Sequence, residues 1–346
     1  MALLNNILLE FHLLGLAPPV KTLQDLWRWI RITPVIPEKM KSENHSLIGK
    51  TLRFNDITEA ISGTFGKIYL AYKQLDNSGQ YVFLKSSPKY QASLLIEGLL
   101  QSIAHVTLMQ YGFPNAVPRL LHFIDHPEFG STLVLERIPR AQLFSDYLKS
   151  TFLWEKPCYE NDVIFLNVII QVATYIAILE SVLGMNHRDL KGTNVLMVAP
   201  VDPYSKTIIL KSHSWKFKSH LEISIIDFGF TCIGKGKSIL SAGDFISDTD
   251  FCPKAGRDMF LFLSSLWNVE VFRKSLTPKI VALFDRWLIT SNKNWASWLS
   301  TPPEKNMMSV YLLTSGSLFS SPSCSPLAIL KDISVVAPSL LVFDVT

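Results

Sequence analysis

The stretch His187-Arg188-Asp189-Leu190-Lys191-Gly192-Thr193-Asn194, with Asp227-Phe228-Gly229 downstream, decides how the rest of the chain is read. It places an acid, a cation and an amide in a short polar loop. Just before it, residues 162–183 are strongly apolar and lack Pro and Gly, the pattern of a helix buried on most sides. A carboxylate orients an attacking hydroxyl and accepts its proton, a lysine meets a phosphoryl oxygen, and an amide oxygen binds Mg²⁺; phosphoryl transfer needs this set. Glu222-Ile223-Ser224-Ile225-Ile226 reads as a strand delivering Asp227 at its end, where a carboxylate can bind a metal that bridges phosphates.

Upstream, Ser62-Gly63-Thr64-Phe65-Gly66-Lys67-Ile68-Tyr69 lies between apolar runs. Glycines in a hairpin let backbone N–H groups approach a phosphate, although glycines in a β-turn are more often only a turn. Val82-Phe83-Leu84-Lys85 ends a strand pattern on a lysine, a position usually held by a solvated edge residue. Glu97 sits among Leu94, Leu95, Ile96, Leu99 and Leu100, either on an exposed helix face or as the partner of a phosphate-binding lysine. Each of these is weak alone. Their order along the chain, ahead of the loop and Asp227-Phe228-Gly229, is hard to produce by accident.

Working outward, residues 2–17 and 23–32 read as helices and residues 34–44 as a linker. Residues 68–72, 81–84 and 132–135 read as strands, with a hairpin turn at residues 76–79 and a helix at residues 92–110. Beyond residue 143 the pattern is mainly helical, with further helices at residues 259–267 and 279–288. A β-rich part followed by a helical part predicts an α+β protein with segregated lobes. The expected divisions are a helical extension and linker at 1–48, a β-rich lobe at 49–138 and a helical lobe at 139–346.

Composition agrees with a globular chain: 346 residues, 48% hydrophobic and 18% charged. A net charge of +4, from 33 basic and 29 acidic residues, gives no general nucleic-acid footprint. Residues 2–17 lack a basic leader and fall short of the roughly 20 apolar residues a span needs, so a packed amphipathic helix is expected rather than a membrane span. The four cysteines form no C-x-x-C pair and are read as free thiols in a reducing, intracellular compartment.

On these motifs, from residue 57 to 267, the chain resembles the eukaryotic-type protein kinases. The resemblance implies a bilobal protein-kinase-like α+β fold, ATP and Mg²⁺ as substrate and cofactor, and a protein substrate. It implies that Gly63 and Gly66 cover the phosphates and that Lys85, paired with Glu97, anchors ATP. Asp189 becomes the catalytic base, Lys191 the phosphate-contacting lysine, and Asn194 and Asp227 the metal ligands. Ile68, Ala71 and Val82 would wall the adenine pocket, Leu135 would be the gatekeeper, and the backbone from Glu136 to Ile138 would meet adenine. Asp258 would brace His187 and Arg188. Lys191 has the form found in Ser/Thr kinases.

There are departures from the family. Ile61 stands where the loop's first glycine is usual, and Lys85 and Glu97 are closer in sequence than usual. An insert at residues 204–220 carries Lys206, Lys211, Lys216 and Lys218 with Trp215; it reads as a solvated hairpin or as a contact for an acidic substrate. No A-P-E occurs, and no Glu lies between Gly229 and Arg257, so the usual Glu–Arg anchor of the activation segment is missing. Haspin-like kinases and kinases of large DNA viruses share such features, the latter implying a host cell or virion setting. Arg188 fits kinases switched by loop phosphorylation, with Ser238, Ser241, Ser247 or Thr249 as acceptor; a constitutively ordered loop is the alternative. A pseudokinase would lack one of Lys85, Asp189, Asn194 and Asp227, and small-molecule phosphotransferases usually lack Arg188 and Lys191. Residues 1–32 are a further place for partner contact.

Overall fold

The computed structural model of the chain describes residues 2–32, 45–47, 50–63, 66–75, 78–86, 91–126, 130–150, 156–199, 201–235, 238–242, 250, 252–300 and 307–345. The chain divides into two compact units, Met1–Pro139 with Leu240–Gly243, and Arg140–Ile239 with Asp244–Thr346.

The first unit opens with α1 (Ala2–Leu13) and α2 (Leu23–Ile32). Leu4, Ile7 and Phe11 recur at helical spacing, which gives α1 one buried face that packs on a later helix. Thr22 caps α2 by accepting from the Asp25 N–H at 3.1 Å. The strands β1 (His45–Leu47), β2 (Lys50–Gly63), β3 (Gly66–Leu75) and β4 (Ser78–Ser86) follow. After α3 (Gln91–Gln110) come β5 (Leu120–His126) and β6 (Gly130–Glu136). They form one sheet in the order β1-β2-β3-β4-β6-β5, each neighbouring pair antiparallel. Alternation sends Tyr69, Ala71, Val82, Leu84, Ile124 and Val134 into a common core. A Cβ on Gly98 of α3 would come within 2.8 Å of Leu133, so glycine is what lets this helix lie close on the sheet.

The strands and helix expected here are present. Three strands were not legible: the short β1, β2, whose residues are mostly polar, and β5. In β2 the ladder slips twice, between Asn55 and Thr58 and between Glu59 and Ile61, which blurs the two-residue period. Leu75 pairs with Ser78 across the expected hairpin turn, whose residues 76–77 lie outside the described residues.

The second unit contains β7 (Gln142–Leu143), α4 (Phe144–Ser150), α5 (Tyr159–Leu183), β8 (Met185–Asn186), β9 (Val195–Val198), β10 (Tyr204–Leu210), β11 (His213–Ser219), β12 (Glu222–Ile225), β13 (Cys232–Lys235) and the first two residues of β14 (Ser238–Ser241), whose last two are grouped with the first unit. It continues with α6 (Arg257–Trp267), α7 (Glu270–Ser275), α8 (Pro278–Trp287), β15 (Ile289–Thr290), β16 (Lys293–Asn294), α9 (Trp295–Ser300), α10 (Met307–Ser315), α11 (Pro326–Val336) and β17 (Leu341–Val345).

The 25-residue α5 is long and apolar enough to cross a membrane, yet most of it is buried within the protein. It ends where Gly184 turns left-handed, φ 65°, and its N–H reaches the carbonyls of Glu180 and Leu179. A Cβ there would also press on the Gly234 carbonyl at 2.9 Å. The stop is therefore sharp, and the polar loop begins after only β8.

The insert at residues 204–220 is the β10–β11 hairpin, but it is solvated on one face only. Ile208, Leu210, Trp215 and Phe217 are buried, and the Trp215 indole donates to Thr174 Oγ1 of α5 at 3.0 Å. Lys211, Lys216 and Lys218 lie on the exposed side. β17 adds a third strand to β11, and α11 packs on α5, so the C-terminal part completes this unit. The free-thiol expectation is corrected for two of the cysteines: Cys232 and Cys252 form a disulfide, their Cα atoms 6.3 Å apart. The chain doubles back between them, which their separation of 20 positions conceals. Cys158 and Cys324 are free.

Candidate active site

In the second unit, the ladder between β9 and β12 sets the geometry. Val195 pairs with Ile225, and the Ile226 N–H donates to the Asn194 carbonyl at 3.0 Å. Asn194 at the start of one strand and Asp227 just past the end of the other are thereby neighbours, although the insert separates them in sequence. Asp227 takes a left-handed φ of 67°, and Phe228 beside it is fully buried, its ring centroid 5.0 Å from that of His187.

Asp189 is buried at the centre of the loop. Its carboxylate receives Lys191 Nζ at 3.0 and 2.9 Å and Asn194 Nδ2 at 2.9 Å; Asn194 also donates to the Asp189 carbonyl at 2.8 Å. The loop backbone is held from α6: the fully buried Asp258 accepts the N–H groups of His187 and Arg188 at 2.7 and 2.8 Å. His187 Nε2 faces the Ile226 carbonyl at 3.0 Å, which ties the loop to the Asp227 strand.

The donor set suits a hard cation. Asn194 spends its amide N–H groups on Asp189, so its amide oxygen faces no donor among the described residues. Among the described residues no cluster of three or more His, Cys, Asp or Glu exists. One carboxylate and one amide oxygen are few protein ligands, which is how Mg²⁺ binds when phosphates and water complete its shell.

Two partners of this loop come from distant parts of the chain and were not legible in the sequence. Tyr311 of α10 donates its hydroxyl to Asp189 Oδ1 across 122 positions, and Lys191 Nζ lies 5.9 Å from its ring centroid. Burial first, then the Asp189 and Asp227 carboxylates, raise the Tyr311 pKa far above the ordinary phenol value, so it stays protonated. The second is Asp250, a buried carboxylate that receives Lys254 at 2.7 Å, Arg257 at 2.8 Å and Arg188 at 3.3 Å. Arg188 also donates to the Phe230 carbonyl at 2.5 Å. Where a Glu–Arg anchor was expected to be missing, the segment is anchored through Asp250, and Arg188 already has a carboxylate on it. Of the suggested phosphoacceptors, Ser247 and Thr249 lie outside the described residues. No pattern near Asp189 pointed to either partner.

In the first unit, Lys85 Nζ and Glu97 Oε1 meet at 2.6 Å with both side chains largely buried. Ile68 is the register partner of Lys85, and Ala71, fully buried, is that of Val82. Gly63 pairs with Gly66, the residues between them lying outside the described ones. Leu135 is half-buried and Ile138 buried. The Glu136 N–H is engaged by the Arg119 carbonyl at 2.9 Å, so of the backbone groups expected for adenine this one is already used. Arg119 in turn holds Glu10 of α1 through hydrogen bonds of 2.7 and 3.0 Å.

No family model and no curated protein matches the chain. Among solved structures it is similar to the crystal structure of the kinase domain of PF14_0431, at 15% identity over 85% of this chain and 98% of that one, with a TM-score of 0.44. The fold is α+β, built from helices and antiparallel sheets.

Proposed function

We propose that the chain is an ATP-dependent protein kinase that transfers the γ-phosphoryl group to Ser and Thr hydroxyls. The observation that carries this reading is the buried Asp189 carboxylate, held by Lys191 and Asn194 in a loop whose backbone Asp258 fixes. A base must lie within hydrogen-bond reach of the proton it takes, and a fixed carboxylate spends nothing on reorganisation when the hydroxyl arrives. Asp189 orients that hydroxyl and accepts its proton as the new P–O bond forms and ADP leaves. Lys191 offsets charge on the transferring group. Lys85, oriented by Glu97, would meet the nucleotide's phosphates, and Gly63 and Gly66 would cover them. Ala71, Val82, Ile68 and Leu135 would line the adenine site, with the Glu136 carbonyl and the Ile138 backbone as polar contacts. Asn194 and Asp227 would hold Mg²⁺, which when bound neutralises phosphate charge. Completeness of this set favours an active enzyme over a pseudokinase, and Arg188 with Lys191 favours a protein over a small-molecule acceptor.

The test is incorporation of phosphate from Mg-ATP into the chain itself or a generic basic protein, on Ser or Thr. Asp189→Asn and Lys85→Ala are each expected to lower the rate by about 10²–10⁴-fold. A folded wild-type protein that neither incorporates phosphate nor binds Mg-ATP would overturn the reading.

A further inference from the structure

Of the donors on the Asp189 carboxylate, Lys191 and Asn194 belong to the catalytic loop itself. The third is a hydroxyl from another part of the chain, that of Tyr311. A hydroxyl donating to the base is the relation a substrate must adopt before transfer. Its high pKa keeps it a neutral donor, as a substrate alcohol is. α10 is also built to stay there. Val310, Thr314 and Ser315 are buried on its inner face. The carbonyls of Thr314, Ser315 and Gly316, at the helix end, receive Lys254 Nζ at 3.0, 2.7 and 3.1 Å. A cation at those carbonyls also complements the negative end of the helix.

We propose that Tyr311 occupies the acceptor-hydroxyl position, making α10 an intramolecular competitor of the protein substrate. This rests on the kinase reading above and adds the regulation of that site. A residue that merely positioned Asp189 would support catalysis, and its loss would lower kcat. An occupant must leave before substrate enters, so its loss improves use of the protein substrate and leaves nucleotide use unchanged.

The experiment compares full-length wild type, Tyr311→Phe and Tyr311→Ala, with Asp189→Asn as the blank. Initial rates are measured while a generic basic protein and Mg-ATP are varied separately. The expected result is a rise in kcat/KM for the protein substrate in Tyr311→Ala with KM for ATP unchanged. The gain is about ten-fold if the competitor holds the site nine-tenths of the time. Tyr311→Phe, which keeps the ring and the packing, should show a smaller rise and decides the matter if the alanine variant unfolds. Phosphate found on Tyr311 itself, at a rate independent of protein concentration, equally supports the proposal. In that event the phenolic oxygen bonds the γ-phosphorus as its bond to the β-phosphate oxygen breaks, the phenolic proton passes to Asp189, and ADP leaves. Active, folded variants with kcat/KM equal to or below wild type, and no phosphate on Tyr311, overturn the proposal alone. Folded proteins that all fail to bind Mg-ATP and to transfer phosphate overturn the kinase reading, and this proposal with it.

Discussion

At the scale of single residues, the loop is held in a backbone shape that it would not choose alone. Arg188 has φ 65°, a left-handed conformation that costs a non-glycine residue roughly 1–2 kcal/mol. The compensation comes from Asp258, whose two oxygens take the consecutive N–H groups of His187 and Arg188. An amide cannot accept both bonds: in Asp258→Asn the side-chain nitrogen would face one N–H donor. Leaving a buried N–H without an acceptor costs about 1–3 kcal/mol. Asp258→Asn is therefore expected to lose that much stability by urea unfolding and, on the proposed function, to lower kcat more than KM for ATP, because the proposed base Asp189 is displaced while the proposed nucleotide contacts of the first unit are untouched. Unchanged kcat would show that Asp258 does not hold the base.

At the scale of elements, the β10–β11 hairpin was visible in the sequence as an insert, but its inner face was not. Its lysines are conspicuous, whereas Ile208 and Leu210 are buried, Trp215 meets Thr174 of α5, and Trp215 and Phe217 pair with Phe343 and Leu341 of β17, far off in the chain. The same division holds throughout. The periodic helix α2, the long apolar run of α5 and the motif residues at strand ends were legible. The slipped strand β2, the disulfide, Tyr311 and Asp250 depend on contacts that no local pattern encodes.

Tyr204 gives the hairpin's docking a pH signature. Its hydroxyl lies 3.1 Å from Gln171 Oε1 and 3.2 Å from the Leu221 carbonyl. Burial, helped by Glu222 and opposed by a hydrogen bond with Ser219, pushes its pKa from 10.0 up to about 12. The folded state thus keeps the proton more tightly than the unfolded chain. The stabilisation is complete below the unfolded value and is lost as pH rises through the folded one. Tyr204→Phe should cost about 1 kcal/mol per lost hydrogen bond at neutral pH. Urea midpoints at about pH 8 and about pH 11 should show the gap to wild type narrowing at the higher pH; a constant gap would contradict a shifted Tyr204.

At the scale of the whole molecule, each unit carries its own buried ion pairs, and in the first Lys85 meets Glu97 at 2.6 Å. Within the second unit, Asp250 is the point where separate parts of the chain meet. Through Arg188 it holds the Asp189 loop, through Arg257 the start of α6, and through Lys254 the end of α10. One carboxylate thus serves three buried cations, beside the disulfide at Cys252. Removing its charge leaves those cations without that counter-ion in a poorly solvated site, a loss of about 3–5 kcal/mol for a buried pair. Asp250→Asn should lower the urea midpoint accordingly and lower kcat, since the Arg188 guanidinium loses a fixed partner. The deficit should also depend on pH. Burial already lowers the Lys254 pKa, Arg257 and Arg188 lower it further, and Asp250 opposes them. Without Asp250 the folded-state value falls further below the ordinary 10.5, so the fold favours the neutral amine. A depressed folded-state value makes the charged amine a burden at low pH that fades as pH rises toward the unfolded value. Urea unfolding across that range should find the Asp250→Asn deficit largest near neutral pH and smaller at alkaline pH. A deficit below about 1 kcal/mol at neutral pH, the range of an exposed ion pair, would mean that Asp250 does not hold these segments together.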